Sequence, residues 1–304
     1  MNHLFAAIPS PDISFVQLGP IRIHFYALFI LAGIAVALIV GNQRLKSRGA
    51  KKGELLDISL WVVPIGLVGA RFFHVVTHWA DYFGAGKNFV DVFKIWEGGI
   101  AIYGGVIGGL LGAWIGSRMS GIRLVSYLDA IAPGVLLAQG IGRIGNYFNS
   151  ELFGQPTNLP WGISIDPSNP AYPVGLPAGV AFHPTFAYEL LWDVLGAVAL
   201  ILIDRKFALR WGRLFGLYLV VYSTGRYFIE GLRLDPSDIY FGLRTNQWSA
   251  VIGVLLGLAI FYLQQRRHTG GEVTVYLDGR EPIDEPVNTE DDEKPLDSKA
   301  TSTD

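Results

Sequence analysis

Long apolar runs separated by short polar segments make up most of the first 268 residues of the chain. Each run is about twenty residues long, which matches a helix that crosses a hydrocarbon core of about 30 Å. None alternates strictly between apolar and polar residues, as the strands of a membrane β-barrel do. The pattern therefore predicts an all-α integral membrane protein with seven transmembrane helices, at about residues 22–41, 55–76, 99–116, 124–144, 184–203, 214–229 and 248–263.

One long segment, residues 147–184, interrupts this pattern. It contains seven prolines between Pro156 and Pro184 and has no lysine or arginine. Proline removes a backbone donor and breaks helices, so a segment this rich in proline does not form a continuous span. We expect residues 147–184 to fold as an extracytoplasmic loop subdomain within a membrane domain that covers residues 1–268.

Composition and charge add an orientation to this picture. Of the 304 residues, 51% are hydrophobic and only 16% are charged, as in a membrane protein. Lysines and arginines in short loops mark the cytoplasmic side. Thirteen of them lie in or beside the loops that follow the first, third, fifth and seventh predicted spans, against four in the other loops. The imbalance predicts that the N-terminus is outside and the C-terminus is cytoplasmic.

The last 36 residues differ from the membrane domain. Residues 269–304 hold 11 acidic and 3 basic residues, a net charge of −8. Segments of this composition bury too little apolar surface to fold, and apart from the short run 273–276 we expect an acidic, disordered cytoplasmic tail. The whole chain contains no cysteine, so any thiol in its chemistry must come from a substrate.

Polar side chains collect at the outer end of six predicted spans. Charged groups inside a bilayer are costly and usually functional, so this convergence favours a site reached from the outer leaflet over a purely structural bundle. The sequence pattern around the histidines does not supply the further ligands that a metal site requires, so no metal is expected. The converging residues are Arg22, His24, Tyr26, Arg71, His74, Tyr103, Arg143, Asn146, Glu189, Arg226 and Glu230.

The densest polar motif runs from Gly140 to Gly154, where the fourth predicted span ends. Arg143 and Asn146 are three residues apart and share a helix face, and the glycines allow a backbone or a bulky ligand to approach closely. These features suit a cradle for an anionic headgroup. The alternative from the residues alone is a tight, glycine-rich helix end whose arginine reaches the membrane interface.

This motif carries a resemblance to a known family. Residues 142–151, Gly-Arg-Ile-Gly-Asn-Tyr-Phe-Asn-Ser-Glu, closed by Gly154, resemble the signature of the bacterial prolipoprotein diacylglyceryl transferases. Tyr222, Arg226, Glu230 and Arg233 form one helical stripe that resembles a second family pattern, although spacing alone also allows a ladder of ion pairs. Residues 96–105 and 183–189 resemble two further motifs, but Tyr103 stands where many members carry a histidine.

The resemblance implies an activity. In this family a diacylglyceryl group passes from phosphatidylglycerol to the thiol of the lipobox cysteine of a prolipoprotein, which gives a thioether and releases glycerol phosphate. The implied partners are phosphatidylglycerol, prolipoprotein signal peptides and the lipid bilayer of the bacterial cytoplasmic (inner) membrane, where the protein would be multi-pass. No nucleic acid and no cofactor are implied. The alternatives are a polytopic transporter or anion channel, and a lipid-binding scaffold.

Guanidinium groups donate paired hydrogen bonds to phosphate oxygens, so we expect Arg143 and Arg226, on different helices, to stabilise the departing phosphate. Glu230 would hold Arg226, and the group that activates the thiol stays open among Tyr103, His24 and Tyr26. The candidate catalytic residues are Arg143, Arg226, Tyr103, Glu151 and Glu230. The candidate phosphatidylglycerol-binding residues are Arg143, Asn146, Asn149, Gly154, His24, Tyr26, Tyr222 and Arg233.

Overall fold

The computed structural model describes residues 8–11, 13–84 and 86–281. Helices dominate this part of the chain and are joined by short strands and turns. Two short 3₁₀ turns, Phe89–Phe93 and Ile95–Glu97, lie between Phe83 and Ile102. The helices are α1 (Phe25–Ser47), α2 (Glu54–Thr77), α3 (Trp79–Phe83), α4 (Ile102–Met119), α5 (Leu124–Phe148), α6 (Thr185–Phe207), α7 (Arg213–Glu230) and α8 (Thr245–Arg267).

Five of these helices, α1, α2, α5, α6 and α8, are long and apolar enough to cross a membrane. The two remaining predicted spans correspond to α4 and α7, which have 18 residues each. The described part of the chain is therefore mainly helical and contains several helices suited to a bilayer. The number of crossings, seven, and the orientation of the termini stay predictions.

Glycines allow α4 to pack closely on α2. Gly104, Gly108, Gly112 and Gly116 form a buried stripe along α4. A Cβ atom at Gly112 would lie 2.5 Å from the carbonyl oxygen of Trp61 on α2, closer than atoms can approach. Because the stripe has no side chains, the two backbones approach to van der Waals contact, as in other membrane helix pairs.

The same principle joins α1 to α5 and α7 to α8. A Cβ at Gly134 of α5 would lie 2.8 Å from the carbonyl of Ala37 on α1, and one at Gly216 of α7 would lie 2.8 Å from the carbonyl of Gly257 on α8. Helix α5 also packs against α6 and α7. It is therefore the central helix, and its C-terminal end meets the ends of several neighbours.

The segment between α5 and α6 has a small core of its own. Strand β4 (Ile163–Ser164) pairs in parallel with β1 (Ile8–Pro9) and antiparallel with β5 (Ala181–Phe182). Ile163 and Phe182 of this sheet are buried in one cluster with Phe153 and Ile165. The segment is thus a folded unit, and its extracytoplasmic location stays a prediction.

A hairpin precedes α1 and changes the expected start of the first span. Strands β2 (Phe15–Leu18) and β3 (Ile21–His24) pair antiparallel, with Phe15 opposite His24. The helix begins at Phe25 and not at residue 22, so Arg22 and His24 lie in a strand. The apolar residues of β3 extend the hydrophobic run of α1, which hides this boundary in the sequence. A second hairpin, β6 (Ile239–Tyr240) with β7 (Leu243–Arg244), precedes α8.

An ion network joins the helix ends on the opposite side of the bundle. Asp204, near the end of α6, lies 2.8–3.0 Å from three guanidinium groups, those of Arg44, Arg48 and Arg210. Asp129, which is fully buried on α5, accepts hydrogen bonds from the backbone N–H groups of Gly212 and Phe215 at 2.8 Å each. It therefore caps the start of α7 from a neighbouring helix, since those donors have no partner within α7.

The beginning of the acidic tail packs on this same side. Tyr276 is 4% exposed and bridges to Ile122, and its hydroxyl donates to Glu54 Oε2 at 2.6 Å. Arg123 donates from its backbone N–H to the carbonyl of Val275 at 2.9 Å. Burial and the neighbouring Glu54 carboxylate raise the pKa of Tyr276 to about 12. The run 273–276 thus belongs to a docked segment, and the tail beyond residue 281 lies outside the described residues.

Candidate headgroup and transfer site

Two arginines from different helices meet on one carboxylate. Arg143, near the end of α5, forms an ion pair through Nε with Oε2 of Glu189 at the start of α6. Arg226, on α7, donates from Nη1 to Oε1 of the same carboxylate at 2.7 Å. Glu189 is 7% exposed, and the two guanidinium groups compensate a charge that would be costly alone. The contacts fix the ends of three helices around one anionic group.

A second buried carboxylate holds the far side of Arg226. Glu230 is fully buried, and its Oε2 lies 2.8 Å from Nη2 of Arg226. Its Oε1 accepts from Nε of Arg244 at 2.9 Å and from Nδ2 of Asn246 at 3.1 Å. Nη1 of Arg233 lies 3.7 Å from Oε2 of Glu230. Glu230 therefore makes the contact with Arg226 that its expected role requires, and it links α7 to the start of α8.

The signature segment forms a hydrogen-bonded network that ends on Arg143. Asn146 and Asn149 both donate from Nδ2 to Oε1 of Glu151, at 2.8 Å and 3.2 Å. Arg143 donates from Nη1 to Oδ1 of Asn146 at 3.3 Å. The network brings together four candidate residues of the signature motif. It presents amide, carboxylate and guanidinium groups in one place.

The backbone turns sharply after α5 to make this network. Ser150 and Leu152 have φ angles of 50° and 59°, in the left-handed region that residues other than glycine seldom adopt. Such conformations cost on the order of 1–3 kcal/mol each and persist where the surroundings fix them. Here the turn returns Glu151 to the helix end, where its N–H donates to the carbonyl of Asn146 at 3.2 Å.

Gly154 joins the signature segment to the end of α7. It forms a β-bridge with Arg233, and its N–H donates to the carbonyl of His183 at 2.9 Å. A Cβ atom at this position would lie 2.8 Å from Cβ of His183 and 2.9 Å from the carbonyl oxygen of Leu232. Any larger residue would push these segments apart. Gly154 thus permits the close backbone approach that joins the signature segment to the end of α7.

A small cavity lies beside Arg226 and Glu189. Tyr222 and Arg226 of α7 line it together with Glu189 and Asp193 of α6, and the remaining walls are Trp192, Gly225 and Ile229. Tyr222 therefore lies beside the arginine pair, as the helical stripe predicts. Asp193, which belongs to none of the sequence motifs, is 3% exposed.

Three aromatic candidates lie at other points of the same end of the bundle. Tyr103 shares a hydrogen bond of 2.9 Å between its hydroxyl and that of Ser249 on α8. The ring of His24 packs against Phe15 in the N-terminal hairpin, with centroids 5.6 Å apart. The ring of Tyr26 packs on Gly145 of α5, where a Cβ would lie 2.6 Å from Cδ2 of the tyrosine. Tyr26 is thus next to the signature segment.

Glu189 and Arg244 are central to the site but were not among the candidate site residues. Glu189 appears in the sequence only as one of many polar residues at span ends, and Arg244 as a loop cation. The available signal for Glu189 was its position as a carboxylate in an apolar helix, which requires a cationic partner. For Arg244 no local pattern pointed to Glu230, because the pairing depends on the fold.

Arg71 is part of a different arrangement. Its guanidinium donates to the carbonyl oxygens of Asp91, Val92, Gly98 and Gly99, at 2.5–3.0 Å. It therefore stabilises the loop between α3 and α4. The rings of His74 and His78 stack on each other at 4.2 Å. Within the described residues no three potential metal-binding side chains are grouped together.

The sequence of this chain matches a family of known proteins. The family model described as prolipoprotein diacylglyceryl transferase matches residues 13–263. A relative from Leifsonia xyli subsp. xyli, named phosphatidylglycerol–prolipoprotein diacylglyceryl transferase, is 47% identical over 96% of this chain and 91% of its own length. A relative of that name from Frankia alni is 47% identical over 89% of this chain and 71% of its own length. A relative from Streptomyces coelicolor, whose name ends in "transferase 1", is 44% identical over 89% of this chain and 77% of its own length.

The match covers α1 to α7 and most of α8, and it includes every residue of the arginine and carboxylate network described above. The resemblance inferred from the signature segment is thereby confirmed. This chain belongs to the prolipoprotein diacylglyceryl transferase family.

Proposed function

We propose that this protein transfers the diacylglyceryl group of phosphatidylglycerol to the thiol of a lipobox cysteine in a prolipoprotein. A carbon–sulfur bond forms at the terminal glycerol carbon that carries the phosphate. The bond between that carbon and the phosphate oxygen breaks, and its electron pair leaves with glycerol phosphate. Negative charge therefore develops on the phosphate, and the protein accelerates the reaction by stabilising that charge.

The observation that carries the proposal is the arginine pair on Glu189. Arg143 uses Nε for Glu189 and Nη1 for Asn146, and among the described residues its Nη2 has no hydrogen-bond partner. The Arg143 side chain is 21% exposed, so this edge of the guanidinium is accessible. A phosphate bound there would be within reach of both arginines. Glu189 and Glu230 keep them oriented while the substrate is absent.

The glycerol headgroup fits beside the signature network. Oε1 of Glu151 accepts from Asn146 and Asn149, and within the described residues Oε2 has no hydrogen-bond partner. Hydroxyl groups donate well to a carboxylate, so Oε2 is suited to bind a hydroxyl of the headgroup. In this proposal Gly154 and Arg233 close the site, and Tyr222 lines its inner wall. Tyr103, His24 and Tyr26 lie around its rim.

The membrane arrangement is part of the proposal. Seven crossings with an outward N-terminus would place the ends of α5 and α7 and the starts of α6 and α8 at the outer surface of the bacterial cytoplasmic membrane. Phosphatidylglycerol would reach the arginines from the outer leaflet, and the signal peptide of a prolipoprotein would enter from the bilayer. The opposite ion network around Asp204 would face the cytoplasm together with the docked tail.

The experiment is a reconstituted transfer assay. Purified protein in detergent is incubated with phosphatidylglycerol and a synthetic lipobox peptide, and both the peptide and the water-soluble products are analysed. We expect one diacylglyceryl thioether on the cysteine for each glycerol phosphate released, and no adduct with a serine peptide. Lipid binding or movement without an adduct would instead favour the transporter, channel or scaffold alternatives, to which the names of the curated relatives lend no support.

A further inference from the structure

Asp193 is a buried carboxyl group that the mechanism above does not use. It lies on α6, one helical turn after Glu189, and is 3% exposed. Among the described residues its carboxyl group forms no hydrogen bond and no ion pair. A buried carboxylate without direct partners is costly, so such a group readily takes up a proton. A position of this kind, next to a reactive centre, is typical of groups that exchange protons.

Charged side chains from three helices surround Asp193. Arg143 of α5 and Arg226 of α7 interact with it as positive charges. Glu189, on the same helix, interacts with it as a like charge. The hydroxyl groups of Tyr218 and Tyr222 on α7 also face it. Asp193 shares the small cavity with Arg226, which connects it to the proposed phosphate position.

The direction of the reaction brings the thiol to the same side. Displacement at a saturated carbon requires the nucleophile to approach opposite to the departing oxygen. The acyl chains lie in the membrane, so with the phosphate on the arginine pair the reacting carbon would lie on the membrane side of it. The sulfur would then approach from the membrane interior. Asp193 is four residues further into α6 than Glu189, which is about 6 Å along the helix in that direction at 1.5 Å per residue.

We propose that Asp193 is a catalytic residue that accepts the proton of the substrate thiol. The inference rests on the proposed function. The thiol proton moves to the carboxylate as the carbon–sulfur bond forms, and the electron pair of the broken carbon–oxygen bond leaves with glycerol phosphate. Asp193 then returns the proton to solvent before the next turnover. A base is needed because a free thiol, with a pKa near 8.5, is mostly protonated at neutral pH.

The test compares two peptides that differ only in the nucleophile. A lipobox peptide with selenocysteine is ionised at neutral pH and needs no base, whereas the cysteine peptide does. Adduct formation is measured for the wild-type protein, Asp193→Asn, Asp193→Glu and the exposed control Asp57→Asn. Phosphatidylglycerol binding and thermal unfolding are recorded for each variant.

Asp193→Asn should lower the rate with the cysteine peptide by about 10²-fold or more, as for loss of a general base, and leave the rate with the selenocysteine peptide within about threefold of wild type. Asp193→Glu should recover part of the cysteine rate, and Asp57→Asn should match wild type. A cysteine rate within about threefold of wild type for Asp193→Asn would overturn the proposal. An equal loss with both peptides would also overturn it, since that result indicates a structural role.

The wild-type protein supplies a second test that does not depend on a variant folding. With the cysteine peptide, kcat/KM should fall on the acid side as the base becomes protonated, and with the selenocysteine peptide this fall should move to lower pH. Identical acid limbs would contradict the proposal. If the wild-type protein forms no adduct with either peptide, the proposed function itself fails. An adduct that Asp193→Asn does not affect removes only the present inference.

Discussion

Arg226 and Glu189 are joined by a hydrogen bond of 2.7 Å that connects α7 to α6 in the buried end of the bundle. Further contacts hold both side chains in place, since Arg143 binds the Glu189 carboxylate and Glu230 binds the other side of Arg226. The position of both arginines therefore depends on Glu189. In the proposed reaction Glu189 would act on the substrate through the arginines, as a positioning residue.

Glu189→Gln is expected to lower both stability and activity. Removing one partner of a buried pair leaves charge uncompensated and typically costs about 3–5 kcal/mol. Thermal unfolding in detergent measures the loss, and the transfer assay measures activity. Glu189→Asp keeps the charge on a shorter side chain and should be more stable than Glu189→Gln. Equal unfolding temperatures for Glu189→Gln and the wild type would show that the arginines are held in some other way.

Tyr103→Phe tests whether the tyrosine hydroxyl takes part in the reaction. The hydroxyl forms a hydrogen bond of 2.9 Å with the hydroxyl of Ser249 on α8, which indicates a structural link between two helices. We therefore expect Tyr103→Phe to keep transfer activity within about tenfold of wild type, the loss reflecting one hydrogen bond of about 1 kcal/mol.

Two companion variants complete this comparison. Ser249→Ala removes the same hydrogen bond from the other side and should have a similar effect on the transfer rate. Tyr103→His restores the residue type that many family members carry. A loss of about 10²-fold or more in Tyr103→Phe that Tyr103→His reverses would instead assign acid–base chemistry to this position.

The sequence predicts those features that local patterns determine. It does not predict contacts that form only when distant segments come together in the fold. Apolar length locates the long helices, and the signature segment contains Arg143, Asn146, Asn149 and Glu151, which the structure joins in one network. Arg244 lies outside any motif, and its contact with Glu230 arises only when the second hairpin brings the start of α8 to the end of α7. No local pattern encodes such a pairing.

The hairpin before α1 shows a second limit. Ile21 and Ile23 are as apolar as the helix that follows, so hydropathy extends the first span through β3. The end of the strand depends on pairing with Phe15–Leu18, which is a tertiary contact. Similarly, the docking of Tyr276 on Ile122 is not visible in an acidic tail whose composition indicates disorder.

The glycine stripe of α4 predicts that the effect of a glycine-to-alanine substitution on stability depends on its position along the helix. Gly112→Ala places a methyl group 2.5 Å from the carbonyl of Trp61 and should destabilise the protein by about 1–3 kcal/mol, as overpacking does. Gly109→Ala, on the same helix, places its methyl group 3.9 Å from Val62 and should be tolerated. Thermal unfolding of the two variants separates the effects. Equal behaviour would contradict the close packing of α2 on α4.

Docking of the tail should weaken as the pH becomes alkaline. The pKa of Tyr276 is raised to about 12 when it is buried beside Glu54, above its usual value of about 10. A raised pKa of an acid means that its contribution to stability is complete below pH 10 and is lost as the pH rises towards 12. Tyr276→Phe lacks the ionising hydroxyl, so its unfolding temperature should fall less than that of the wild type between pH 9 and pH 11. Parallel curves would contradict the prediction.

The most direct test of the phosphate-binding role of Arg143 and Arg226 uses lysine in their place. Lysine keeps the charge but loses the planar fork that donates two hydrogen bonds to phosphate. Mass spectrometry measures the diacylglyceryl adduct on a lipobox peptide after incubation with phosphatidylglycerol. We expect the wild-type protein to form the adduct, Arg143→Lys and Arg226→Lys to form it at least about tenfold more slowly, and Arg143→Ala to form none. Full activity in both lysine variants would contradict the account.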